Sequence, residues 1–374
     1  MKLIPLIRPY MTQEIKDQVC EVLDSGYLTE GPVTKEFEEV CRQYIQCEHA
    51  IAVSNCTVGL EIALRAVGVG PGDEVIVPDY TYPATASVVT IVGAKPVIVD
   101  INPDTMLIDY DAVEQAVTSK TKAIIPVSLF GNPLDYEQLY AIKKKHGVTL
   151  IEDAACALGA DYKGSKVGSL ADISVFSLHP RKFITTGEGG LITTHHQEWA
   201  NWMSSYKHFG MAQASSRSNI IFERIGSNYK LSNVQSAIGL GQMKHINKLL
   251  DKRRSLAQRY TSILSTEPQI KCPTPTQNGT HSYQSYCVFV ANRNKVIEQT
   301  REQGIETQIG TYSLHMHPAF QNNQHCKIYG DLPGSRYAYN HTLTLPLYHN
   351  LSEQEQDHVV QCLIQTVTNM SLEN

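Results

Sequence analysis

Between about residues 50 and 195, short and almost wholly apolar runs alternate with amphipathic stretches, and few architectures accept that order. "AIAVSN", "EVIVPD", "KPVIVDI", "KAIIPVSL", "VTLIED" and "DISVFSL" are too short for stable helices and carry no polar face. A seventh strand-like run follows the glycines of "TTGEGG". Between several of them lie helical patterns: "TVGLEIALRAVGV", with Leu60, Ala63, Leu64 and Val67 on one face, then "YPATASVVTIVG", "YDAVEQAVTS" and "DYEQLYAIKKKHG". Strands without a polar side are buried on both faces. The pattern therefore predicts an α/β fold with a mainly parallel seven-stranded sheet flanked by helices.

The remaining chain reads differently. One helical segment runs from about 233 to 265, followed by the Pro- and Thr-rich "CPTPTQNGT", then by strands ("SYCVFVA") and helices ("NKVIEQTREQG", "SEQEQDHVVQCLIQTV"). That mix predicts a smaller C-terminal α+β domain. With 374 residues the chain exceeds one ordinary core. We divide it into a large domain, 1–246, and a small one, 247–374, with the N-terminal segment packing on the small one.

Composition removes several classes of function. Hydrophobic residues make up 42% and charged residues 18%, the balance of a soluble globular protein and not of a disordered one. A net charge of −5 leaves no basic footprint for nucleic acid. No apolar run is long enough to cross a bilayer, and Pro5 and Arg8 interrupt the start before a signal-peptide core could form. The expectation is a cytoplasmic protein with neither nucleic-acid nor membrane partners. Nine cysteines contain no CxxC pair, so neither a disulfide framework nor a thiolate zinc site is expected. His195–His196 and the "HMH" at 315–317 lack a third ligand nearby, and no metal site is read there.

Ligands of open α/β sheets gather at the carboxyl ends of the strands. The first strand delivers Ser54, Asn55, Cys56 and Thr57, with Thr57 opening a helix whose free amides suit a phosphate. "VPDYTYPAT" delivers Tyr80 and Tyr82, rings able to stack on a planar group. "LIEDAACALGA" delivers Glu152 and Asp153 from an apolar strand, where a carboxylate is costly unless a cation accompanies it. "SVFSLHPRKFITTGEGG" delivers Ser177, His179 and Lys182, followed by Glu188 among the glycines. A P-loop is excluded because its glycines precede the lysine; a dinucleotide fingerprint is excluded because "GEGG" leads into a strand.

Phosphate site, flat ring, carboxylate and lysine together fit pyridoxal 5′-phosphate (PLP). A carboxylate beside the pyridine nitrogen keeps it protonated, and an amine deprotonated by burial or by a neighbouring cation forms a Schiff base with the aldehyde. Arg181 is such a cation by sequence, unless its side chain points away.

The blocks "SGYLTEGPVTKEFEE", "AVSNCTVGLEIAL", "GDEVIVPDYTYPAT", "PVSLFGNP", "IEDAACALGA", "FSLHPRKFITTGEGG", "GSNYKLSNVQSAIGL" and "TLPLYHNLSEQEQDHVV" span nearly the whole chain. In combination and order they resemble the DegT/DnrJ/StrS family of sugar aminotransferases, PLP enzymes of fold type I. The resemblance implies that Lys182 holds PLP covalently and later moves the proton between cofactor and substrate, and that Asp153 partners the pyridinium nitrogen. It implies that Cys56, Thr57 and Ser177 hold the phosphate and that Tyr82 stacks on the ring. Cys156 would lie near the ring hydroxyl. Asn228 would reach the phosphate of a neighbouring subunit, hence a homodimer with shared active sites. His179, Glu188, Tyr312 and His315 are candidate substrate contacts.

Three positions depart from the family pattern: Cys56 where a Gly or Ala is usual, Cys156 where Gln or His is usual, and Ser128 in place of a strand-end histidine. They point to altered surroundings of the ring oxygen and to an unusual substrate. The activity implied is transfer of an amino group from L-glutamate, through PLP and its amino form PMP, to a nucleotide-linked keto-sugar. Two alternatives stand beside it. A PMP-dependent deoxysugar dehydratase of this family usually has histidine where this chain has Lys182. A non-catalytic regulatory protein would have no physical need of a buried amine–carboxylate pair.

Overall fold

The computed structural model describes residues 3–212, 219–321 and 324–372. Seven main strands form at the places the apolar runs mark: β1 (His49–Val53), β2 (Glu74–Pro78), β3 (Lys95–Val99), β4 (Thr121–Ile124), β5 (Thr149–Asp153), β6 (Ile173–Ser177) and β7 (Gly190–Thr194). An eighth, β8 (Lys327–Ile328), joins them, and the sheet order is β1-β7-β6-β5-β4-β2-β3-β8. β7 runs antiparallel to β1 and β6, and every other neighbouring pair is parallel. The eighth strand escaped the sequence reading because two residues carry no periodicity. It lies parallel to β3, with Lys327 opposite Val97.

Helices cover the sheet, and the helix Cys56–Ala66 matters most for the site. Its Leu60, Ile62, Ala63 and Leu64 are fully buried. Close approach is possible because Gly59 lacks a side chain: a Cβ there would stand 2.6 Å from Val175 Cγ1 on β6. The expected single helix from 233 to 265 is two, Asn233–Met243 and Ile246–Leu264. At the junction the His245 amide donates to the Gln242 carbonyl, a tighter bond than the α-helical one.

A second, wholly antiparallel sheet is built from Ile270–Lys271, Tyr286–Val290, Thr342–Leu345 and Gln308–Ile309. Its core includes Tyr260, Val288, Leu343 and Leu363. The start of the chain meets this part: the Ile4 amide donates to the Gly304 carbonyl at 2.9 Å, and Leu347 to Leu6 at 3.0 Å. Among the described residues no helix is long and apolar enough to cross a membrane.

Candidate active site

The ends of β1, β7 and β6 lie in one row, with Val53 opposite Gly190 and Gly190 opposite Ser177. Just beyond Val53 the chain turns into the helix Cys56–Ala66, capped by the Asn55 side chain, which accepts from the Val58 amide at 3.0 Å. The cap is therefore Asn55, and Thr57 lies within the first turn. At such a helix start the leading amides point outward with no partner inside the helix, a natural anion site. Gly190 makes room for this cradle, since a Cβ there would lie 2.6 Å from the Asn55 carbonyl carbon and 2.8 Å from the Cys56 nitrogen.

Asp153 ends β5 and is only 5% exposed. Thr85 donates its hydroxyl to Asp153 Oδ2 at 2.7 Å, and the Ala155 amide donates to Oδ1 at 3.2 Å. Burial pushes this carboxyl above its usual range despite those donors and the nearby Lys182. It thus has capacity to accept another donor, and a cation there would relieve the cost of burying it. Thr85 carried no sequence signal beyond its place in the "YPATA" run.

Lys182 sits in the loop between β6 and β7, and its Nζ lies 3.0 Å from Cys156 Sγ. Burial depresses its ammonium, but the Cys156 sulfur that accepts its hydrogen bond outweighs that with help from the Asp153 carboxylate, leaving it above the ordinary value. The loop is pinned from far away in sequence. Gln284 accepts from the Phe183 amide and donates to the Arg181 carbonyl, and Gln242 accepts from the Thr185 amide. Neither glutamine carries a sequence signal, because nothing local marks a brace that arrives from 57 residues downstream, as Gln242 does, or from 101, as Gln284 does. The Arg181 side chain is exposed.

The other candidates fall into four groups. Ser177 stands in the row beside Gly190, and Cys56 opens the helix with its thiol pushed well up by burial. Tyr82 presents 65% of its surface, edge-on to the ring of Tyr312 at 6.1 Å between centroids. This contact exists because Tyr312 pairs with Thr81 in a short two-strand ladder. His179 Nε2 lies 3.9 Å from Glu188 Oε1, with both half-exposed on the lysine loop. Asn228 is exposed and accepts a hydrogen bond from Lys230, whose backbone bridges to Val53.

His315 is nearly buried. Its Nδ1 is 2.6 Å from Asp79 Oδ2, in a buried cluster with Ser313 and Ser335, and the residue is 9% exposed. An imidazole held by Asp79 braces the segment after Tyr312 instead of lining an open pocket. Glu152, a carboxylate expected to need a cation, is met among the described residues by hydroxyls instead. Its Oε1 accepts from Ser128 and from Tyr136 Oη at 2.7 Å, and Oε2 accepts from Ser174 at 2.9 Å.

An α/β fold of this kind, with a mostly parallel large sheet flanked by helices, matches the fold-type-I PLP aminotransferases. The DegT/DnrJ/EryC1/StrS aminotransferase family model matches residues 9–364, and the chain belongs to that family, whose members are PLP-dependent sugar aminotransferases. It is 35% identical to GDP-perosamine synthase of Caulobacter vibrioides, over 97% of this chain and 98% of that protein. It is 33% identical to the spore coat polysaccharide biosynthesis protein SpsC of Bacillus subtilis, over 96% of each. Among solved structures, Spr1654 of Streptococcus pneumoniae in its PMP form superposes with a TM-score of 0.93 at 31% identity, covering 98% of this chain and 99% of that one.

Proposed function

We propose that this enzyme moves an amino group from L-glutamate to a nucleotide-linked keto-sugar, with a 4-keto-6-deoxyhexose as the leading acceptor, in the cytoplasm. The product is an amino sugar for polysaccharide, glycan or antibiotic biosynthesis. A relative named GDP-perosamine synthase supports a nucleotide-linked substrate. The observation that carries the reading is the partly buried Lys182 amine near the buried Asp153 carboxylate, next to a helix start that Gly190 leaves open.

The residues fit PLP. Bound PLP supplies an electron-withdrawing ring that stabilises negative charge on the substrate carbon. Lys182 Nζ would hold it covalently and, once freed, carry the proton between cofactor and substrate. The Asp153 carboxylate would keep the proton on the ring nitrogen. The first amides of the helix at Cys56 and Thr57, with the Ser177 hydroxyl, would bind the phosphate. Tyr82 would cover the ring face, with Cys156 beside the ring's oxygen substituent, and Tyr312, His179 and Glu188 would meet the substrate. We assign cofactor binding to residues 1–246 and the smaller domain to 247–374.

A homodimer belongs to the same proposal, with Asn228 acting across the subunit boundary. Phe209, Ile221, Phe222 and Ile225 around Asn228 are 49%, 64%, 61% and 97% exposed in the single chain, an apolar surface that a second copy would cover. The test is spectroscopic and kinetic. The purified protein should show a visible absorption band that shifts when glutamate is added, and should aminate one member of a panel of dTDP-, UDP- and GDP-linked keto-sugars. Lys182→Ala should abolish both covalent attachment and turnover; full transamination by that variant would overturn the assignment.

A further inference from the structure

We propose that Cys156 and Lys182 form a reversible redox lock, in which peroxide joins Cys156 Sγ to Lys182 Nζ through a sulfur–nitrogen bond and silences the amine. The two atoms already stand 3.0 Å apart. Both are held in frame by one short segment: Ser282 Oγ donates to the Cys156 carbonyl at 3.3 Å, and Gln284 bonds both the Phe183 amide and the Arg181 carbonyl. Cys156 is partly exposed, so a small oxidant can reach it. The other site sulfur is differently placed. Cys56, partly exposed like Cys156, turns its Sγ to the Val175 carbonyl at 3.8 Å, and desolvation of the thiol pushes its titration well up.

The chemistry balances with hydrogen peroxide as the named oxidant. The Cys156 sulfur attacks one peroxide oxygen, giving a sulfenic acid and releasing water. The neutral Lys182 amine then attacks that sulfur; the S–N bond forms, the S–O bond breaks, and the hydroxyl leaves as water with the amine's proton. Reduction takes two thiols. The first attacks sulfur and releases the amine, which gains a proton, and the second displaces the resulting mixed disulfide, restoring the Cys156 thiol. Oxidation would also take away the Cys156 sulfur as the acceptor of the Lys182 hydrogen bond, favouring the neutral amine the second step needs.

The inference goes beyond the proposed function, and one part rests on it: if Lys182 holds PLP, the amine is protected until glutamate converts the cofactor to its amino form and frees it. The experiment treats purified protein with a small excess of peroxide, with and without prior glutamate, and maps peptides without reductant. A cross-linked peptide joining Cys156 to Lys182, about 2 Da lighter than its two parts and released by dithiothreitol, is expected. Its yield should rise several-fold after glutamate, and Cys156→Ala should abolish it. A Cys156 sulfinic acid with Lys182 free, a Cys56–Cys156 disulfide, or unmodified peptide would overturn the lock. Equal yields with and without glutamate would leave the S–N bond standing and overturn instead the role of Lys182 in holding the cofactor.

Discussion

Glu152 and Asp153 are consecutive carboxylates on one strand, both buried and both pushed above their usual range, yet the fold treats them oppositely. Alternation along β5 turns them to opposite faces of the sheet. Glu152 is closed off by three hydroxyls from three elements: Ser128 after β4, Tyr136 at the start of the helix Tyr136–His146, and Ser174 on β6. Asp153 has one hydroxyl and one amide, and it faces the lysine. A carboxylate saturated by its own fold is structural. One left with acceptor capacity toward an open strand end can serve a ligand.

The largest expected effect breaks that distinction if it fails. Asp153→Asn keeps the shape but loses the charge proposed to hold the ring-nitrogen proton, and should lower kcat on the order of 10²–10³-fold while thermal stability changes little. Equal turnover in steady-state assays would make Asp153 as structural as its neighbour. Glu152→Ala should do the reverse. It strands three buried hydroxyls and opens a small cavity, costing about 2–4 kcal/mol in denaturant unfolding, with kcat of the folded fraction far less affected.

Ser128→Ala sharpens the comparison with a smaller effect. It removes one of two donors to Glu152 Oε1 and should cost about 1–2 kcal/mol by the same measurement. A loss of turnover without loss of stability would instead tie Ser128 to the ring oxygen, where the family pattern had pointed.

What could be read from the sequence and what could not divide along the same line. The strands, and the positions of Lys182 and Asp153 at their ends, were legible because their signals are local: an apolar run ending in a charged side chain, and a lysine before a glycine turn. The difference between Glu152 and Asp153 was not legible, since it depends on partners 16 to 68 residues away. Ser128 was visible only as a departure from a family pattern, and its partner needed the packing of β4 against β5. Gln284, Gln242 and Asp79 belong to the same kind: polar residues with no periodic or motif signal, defined by what the chain brings back to them.

The smallest effect is a slope with pH, and its sign follows from burial. The folded Glu152 carboxyl titrates above its ordinary 4.5, chiefly because burial disfavours the charge, with Asp153 adding to it against the three hydroxyls. As pH rises past about 4.5 the unfolded chain has released a proton that the folded protein still binds, so this group's contribution to stability is full at lower pH and is lost as pH climbs through the folded value. Glu152→Gln carries no charge at any pH and removes the slope. In thermal or denaturant unfolding from pH 4 upward, the variant should start level with the native protein or below it, because its amide fits three donors less well. It should then gain on the native protein by about 1.4 kcal/mol for each unit by which the folded carboxyl is raised. A variant that instead falls further behind with rising pH would show that the three hydroxyls outweigh burial, making the ionised Glu152 an asset to the fold and bringing it closer in kind to Asp153.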